Sequence, residues 1–142
     1  MGRQAYPNAT ELMITGDSGG SNSSRGRLWK VCLQDLANRA GLIIFMCHFP
    51  PGTSKWNKIE HRMFSEITSN IRGRLLESYQ VLLECIRNTT TTTGLKIRGK
   101  LDCREYKKGI RISDDDLEDL HLFRDTFHGE WNYAVTPQHH AV

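Results

Sequence analysis

The sequence of 142 residues predicts an α/β fold: a parallel strand-helix-strand unit with flanking helices, followed by a small C-terminal α+β extension. Three observations carry this expectation. A short apolar segment, Leu12-Met13-Ile14, stops at Gly16-Asp17; an amphipathic helical pattern follows; and a continuous apolar run from Leu42 to Cys47 comes next. Strand, helix and strand in that order form a right-handed crossover, which brings the ends of both strands to one edge of the sheet.

The first strand is expected over Glu11 to Thr15, entering a glycine- and serine-rich loop, Gly16 to Asn22. Ser23 or Ser24 is placed to cap a helix that carries Leu28, Trp29, Cys32, Leu33, Leu36 and Ala40 on one side and closes at Gly41. The unbroken run Leu42 to Cys47 suits a strand buried on both faces, as in a parallel sheet. Asp17 leaves the first strand, and His48 the second, at the edge where open α/β sheets bind ligands.

Pro50-Pro51-Gly52-Thr53-Ser54 interrupts the chain, and Thr53 or Ser54 is expected to cap a third segment. There Trp56, Ile59, Met63, Phe64, Ile67 and Ile71 recur at helical spacing as one apolar stripe. Glu60 falls inside it. An unpaired charge buried there would cost several kcal/mol, so the carboxylate calls for an arginine partner such as Arg25, Arg27 or Arg74, a solvent-facing edge, or a metal. With Asp17 delivered to the same edge, two acids could share one site, and oxygen ligands select hard cations such as magnesium or manganese. Pairs of such ions serve phosphoryl transfer on nucleic-acid backbones.

Ser78 to Asn88, with Tyr79, Leu82, Leu83 and Ile86, reads as a helix packed on the core, with Cys85 structural and Thr89 to Thr93 an extended exit. Residues 1–94 are thereby assigned to the core and residues 95–142 to a basic strand/helix/strand extension. Lys96, Arg98, Lys100, Arg104, Lys107, Lys108 and Arg111 put seven cations in sixteen residues, either a phosphate-contacting strip or a solvated hairpin. Ser113 caps a helix whose first turn is Asp114-Asp115-Asp116, where the acids complement the helix dipole. Trp131, Tyr133 and Val135 alternate as a half-buried strand, possible partner of Leu95 to Leu101, and His139 and His140 fall in a frayed tail.

Composition sets the outer limits. A formal charge of +3 is too mild to establish a nucleic-acid partner by itself. Cys32, Cys47, Cys85 and Cys103 form no CxxC pair and read as reduced cysteines, without a zinc site. No secretion signal or apolar run of about 20 residues is present, so a soluble, cytoplasmic chain with no membrane partner is expected. Gly16-Asp17-Ser18-Gly19-Gly20 resembles the nucleophile loop of trypsin-like proteases. Only 17 residues precede Ser18, none of them histidine, and Ser21 stands where that family carries proline, so the protease reading is rejected.

Several longer motifs converge on one family. Asp17 to Asn22, Ser24 to Lys30, and His48-Phe49-Pro50-Pro51-Gly52-Thr53-Ser54-Lys55-Trp56-Asn57-Lys58-Ile59-Glu60-His61-Arg62 resemble the Rhodopirellula-type DDE transposases of bacterial insertion sequences. The PPxxS…NxIE pattern is similar to mariner-like transposases, and the resemblance continues through Arg72-Gly73-Arg74, Thr89 to Leu95 and Phe127 to Tyr133. It implies part of an RNase H-like core in which Asp17 is the second catalytic acid and Glu60 the third, with two Mg2+ or Mn2+ ions in the complete enzyme that cuts and joins DNA. Asn22, His48, Asn57 and His61 are candidates to support the acids from behind. Arg25, Lys55, Lys58, Arg72, Arg74, Lys107 and Lys108 are candidates to contact transposon-end or target DNA, and a transposase oligomer is a possible partner. Such enzymes take their first aspartate from an earlier strand, whereas the only acid upstream of Asp17 is Glu11, on the same strand. The chain is therefore expected to be a C-terminal transposase segment without strand-transfer activity of its own; the alternative is a non-catalytic remnant that binds DNA or a full-length transposase.

Overall fold

The computed structural model describes residues 2–50 and 52–138, so that Pro51 and the tail histidines His139 and His140 lie outside the described residues. Within them the elements are α1 (Gly2–Ala5), β1 (Glu11–Gly16), α2 (Arg27–Ala40), β2 (Ile43–His48), α3 (Lys58–Ile71), α4 (Tyr79–Arg87), α5 (Asp114–Glu118), β3 (Leu122–Arg124) and β4 (Asn132–Val135). They divide into two compact units, one formed by Met1–Trp56 with Lys108–Val142 and the other by Asn57–Lys107. The division falls inside both segments that the sequence separated at residue 94.

The first unit is a mixed α/β layer. Its sheet has the order β1-β2-β4-β3, with β1 and β2 parallel and the other pairs antiparallel. The parallel register pairs Leu12 with Ile44, Ile14 with Met46 and Gly16 with His48, so β1 and β2 end side by side as the crossover pattern requires. The strand around Tyr133 is real, but its partners are β2 and β3; residues 95–101 form no strand. Tyr133 lies opposite Met46 and Val135 opposite Ile44, which lets the C-terminal strand complete the core. An apolar strand gains more from joining a buried sheet than from pairing with an exposed, lysine-rich segment.

α2 covers one face of this sheet. Leu33 and Ala37 pack with Ile44, Met46, Tyr133 and Val135, ringed by Ile14, Trp29, Leu36 and Leu122. The expectation that β2 is buried on both faces fails: Ile44, Met46 and His48 are buried, while Phe45 points to the other side and is 37% exposed. Met13, Phe45, Ala134 and Phe123 form a cross-strand row on that uncovered face. β2 is thus a one-sided strand with an unusually apolar outer face.

The helix ends also shift. Ser23 and Ser24 do not cap α2, because Ser24 donates its N–H to Ser18 Oγ at 3.0 Å and Ser23 Oγ accepts from Arg25 N–H at 3.3 Å. Gly26 occupies the N-cap instead, without a side-chain bond. Gly41 closes the helix in the left-handed region, φ 59°, and donates to Ala37 O. α5 has the predicted start: Ser113 and Asp116 form a reciprocal capping box, and Arg27 pairs with Asp114 at 2.6 Å.

The second unit is built on α3 and α4. Asn57, not Thr53 or Ser54, is the N-cap of α3, and Thr53 instead donates its N–H and its hydroxyl to Pro50 O in a turn. Asn70 Nδ2 on α3 donates to Cys85 O at 2.7 Å and to Thr89 Oγ1 at 3.2 Å, tying the helices together around buried Cys85. Thr89, just past the end of α4, is buried and donates its hydroxyl to Cys85 O, so the exit from the helix is not extended at this residue. Residues 95–107 continue without regular structure.

Candidate functional site

Asp17 follows the last residue of β1 and is exposed. Its Oδ1 accepts from Gly19 N–H at 3.2 Å in a local turn. Beneath the loop, Gly16 is held so closely that an added Cβ would stand 3.1 Å from Met46 Cε and 3.2 Å from Asn22 Nδ2. The Asn22 side chain thus folds back over Gly16, at the base of the Asp17 loop. His48 ends the adjoining strand and is 5% exposed, with Nε2 3.0 Å from Tyr133 Oη and no partner for Nδ1.

Burial lowers the His48 pKa, Lys30 lowers it further, and the nearby Asp17 carboxylate opposes the change. Burial thus favours the neutral form of the His48 ring, which packs against Tyr133. Burial in turn raises the Tyr133 phenol to about 12, so it remains protonated beside the imidazole. Neither Tyr133 nor this pair was foreseen, because the contact depends on β4 joining β2.

Glu60 lies in the second unit, in the first turn of α3. The buried anomaly expected there is absent. Glu60 is exposed, as are Ile59 at 85% and Phe64 at 50%, while Ile67 is the buried residue of the helix. The apolar stripe is covered only toward its C-terminal end, where α4 packs. Glu60 carries no burial penalty; its Oε2 accepts a bond from Asn57 Nδ2 at 2.5 Å, and no arginine pairs with it among the described residues. Asn57 and Glu60 are thus joined at the start of α3, and His61 is exposed on the next position of the helix.

The cationic candidates are dispersed. Lys55 belongs to the first unit, and Lys58, Arg72 and Arg74 lie exposed at the ends of α3 in the second, Arg74 reaching Asn70 Oδ1 at 3.4 Å. Lys107 and Lys108 are exposed in irregular chain, one at the end of each unit's segment. In the same stretch Arg104 is engaged by Asp102, which Arg104 and Tyr106 together hold well below the usual carboxylate range. Arg25 has a different setting. It lines a cleft of about 610 Å³ in the first unit with Ser18, Ser24, Lys30, Arg124 and Trp131. Lys30 and Arg124 were not singled out from the sequence, since only the β2-β4-β3 pairing carries Arg124 to the start of α2.

Ser18 adopts φ 61°, and its hydroxyl accepts the Ser24 N–H, so the glycine-rich loop uses this serine to hold its own shape. Among the described residues no three His, Cys, Asp or Glu side chains gather as a metal cage, and no helix is long and apolar enough to cross a membrane.

A family model described as the Rhodopirellula transposase DDE domain matches residues 1–137. The chain belongs to this family. Comparison with curated proteins and with solved structures gave no match. Membership of a transposase family makes DNA the partner class, and the mixed α/β sheet is consistent with such a domain. Asp17 and Glu60 are exposed carboxylates, an oxygen-donor chemistry that suits the divalent ions DDE domains generally use.

Proposed function

We propose that this transposase domain supplies two acids, Asp17 and Glu60, to a DDE centre that cuts and joins DNA strands by phosphoryl transfer. The supporting observation is the placement of Asp17: an exposed carboxylate beyond the end of a parallel strand, with a single local hydrogen bond, in a chain whose length is spanned by the family model. Ligands of open α/β sheets bind at that edge. In this reading β1, α2 and β2 are part of an RNase H-like core, and Asp17 and Glu60 would hold Mg2+ or Mn2+. Such ions stabilise the attacking and leaving oxygens of the transferred phosphoryl group.

The chain's own side chains divide the remaining work. Asn57 fixes one oxygen of Glu60 and leaves the other free to bind. The Gly19 amide does the same for Asp17. His48 adds bulk but no positive charge behind Asp17, since burial favours its neutral form. A third acid is required by this chemistry, and Glu11 cannot provide it from β1, the strand that already delivers Asp17.

The test is a comparison of Mn2+ binding, read by electron paramagnetic resonance, with DNA cleavage by the purified chain. Binding is expected in the wild type and is weakened in both Asp17→Asn and Glu60→Gln. Cleavage and strand transfer are expected to be undetectable with Mg2+ alone. Magnesium-dependent cleavage that Glu60→Gln abolishes would show that two acids suffice here; Mn2+ binding indifferent to both substitutions would remove the assignment.

A further inference from the structure

We propose that the cleft beside Asp17 is a seat for a DNA backbone phosphate, held by Arg25, Lys30 and Arg124. The inference rests on the reading of the chain as one that acts on DNA, and it adds a binding site that the acids do not supply. Its three cations come from three separate segments: the loop before α2, the first turns of α2, and β3. Among the described residues none of the three has a salt-bridge partner, although Arg27, Arg39 and Arg104 are each paired with an aspartate. The one acid on the cleft wall among the described residues, Glu130, lies 3.0 Å from His128 Nδ1 and also feels the charge of Arg124, without forming an ion pair with it.

Unpaired cations that crowd one another need an anion. Lys30 is half-buried, and burial, Arg124 and Arg27 all lower its pKa, in that order, so an anion seated in the cleft would favour its charged form. The ring of Tyr133, 6.0 Å away, gives it only a weak neutral contact. Arg124 is oriented across the cleft by a bond from Nη1 to Gly129 O at 3.1 Å, which leaves its other N–H groups available. A phosphodiester meets these demands: it is anionic, offers several acceptor oxygens, and fits guanidinium donors in pairs. The volume of about 610 Å³ admits a nucleotide-sized group. Because Ser18 lines the cleft and follows Asp17 directly, a phosphate seated there would hold the strand next to the acid.

The experiment is DNA binding in EDTA, so that it is independent of the metal reading. Labelled single-stranded and duplex oligodeoxynucleotides are titrated with the full chain by fluorescence anisotropy over a range of salt. Lys30→Gln and Arg124→Gln are each expected to weaken binding and to reduce the slope of log affinity against log salt by about 0.7 to 0.9, the loss of one phosphate contact. Arg39→Gln, whose guanidinium is paired with Asp35 at the far end of α2, is expected to leave the slope unchanged. Exposed Arg25→Gln serves as the second reporter should half-buried Lys30 prove necessary for folding. Wild-type binding with unchanged affinity and slope in Lys30→Gln, Arg124→Gln and Arg25→Gln overturns the cleft while leaving the proposed chemistry intact. Failure of the wild type to bind either DNA overturns the DNA reading and the cleft with it.

Discussion

Asp17 and Glu60 are both exposed, so their value to the molecule does not lie in folding. Exposed side chains with only local bonds contribute little stability, and Asp17→Asn and Glu60→Gln are each expected to shift unfolding free energy by less than about 0.5 kcal/mol in urea titrations. A larger loss in either variant would indicate a structural role. Gly129 is the opposite case. A Cβ there would stand 2.5 Å from Asp125 O and 2.9 Å from Arg124 Cβ, in a turn where His128 already adopts φ 51°. Gly129→Ala should therefore cost on the order of 1–3 kcal/mol by overpacking and misplace Arg124. Its denaturant midpoint reports the first effect and DNA affinity the second. Of the settings the sequence left open for Glu60, the solvent-facing edge is the one present, because helical spacing identifies one face of a helix without saying how much of that face another element covers.

Local chemistry explains the helix ends better than the strand partners. Ser113 begins α5 as the cap its sequence announced, with Asp116 closing the capping box, and Ser113→Ala should cost about 0.5–2 kcal/mol where α5 unfolds with its unit. Between α3 and α4, Asn70 satisfies Cys85 O and Thr89 Oγ1. Asn70→Ala removes the donor to Thr89 Oγ1 and leaves Cys85 O with the Thr89 hydroxyl in place of two side-chain donors, an expected loss of about 1–3 kcal/mol by chemical denaturation, with Asn70→Asp no better because it offers an acceptor to acceptors. These contacts join residues 15 and 19 positions apart, beyond the reach of a capping rule. The same limit hid the partner of β4: alternating Tyr133 and Val135 identify a strand, but β2 as its neighbour emerges only from the side-chain volumes packed under α2.

At the scale of the whole molecule, His48 makes stability depend on pH. Its folded pKa is lowered from the ordinary 6.5 by burial and by Lys30, against the pull of Asp17, while Tyr133 occupies Nε2. The unfolded chain therefore binds the proton more readily. The contribution is complete above about pH 6.5 and is lost as pH falls toward the lower folded value. Urea midpoints at pH 7.5 and 5.5 should show this acid-side decline in the wild type and a smaller one in His48→Gln; equal declines would place the effect elsewhere. What the sequence by itself determined were the features with a short physical range: β1 and β2 as apolar runs, α2 closed by Gly41, the Ser113 cap of α5, and the motifs around Asp17 and Glu60 that carry the family. Only the tertiary structure decided which faces are covered, which strand completes the sheet, and which cations surround the Asp17 loop. Burial and electrostatic crowding are properties of distances between segments, and chain spacing alone does not contain those distances.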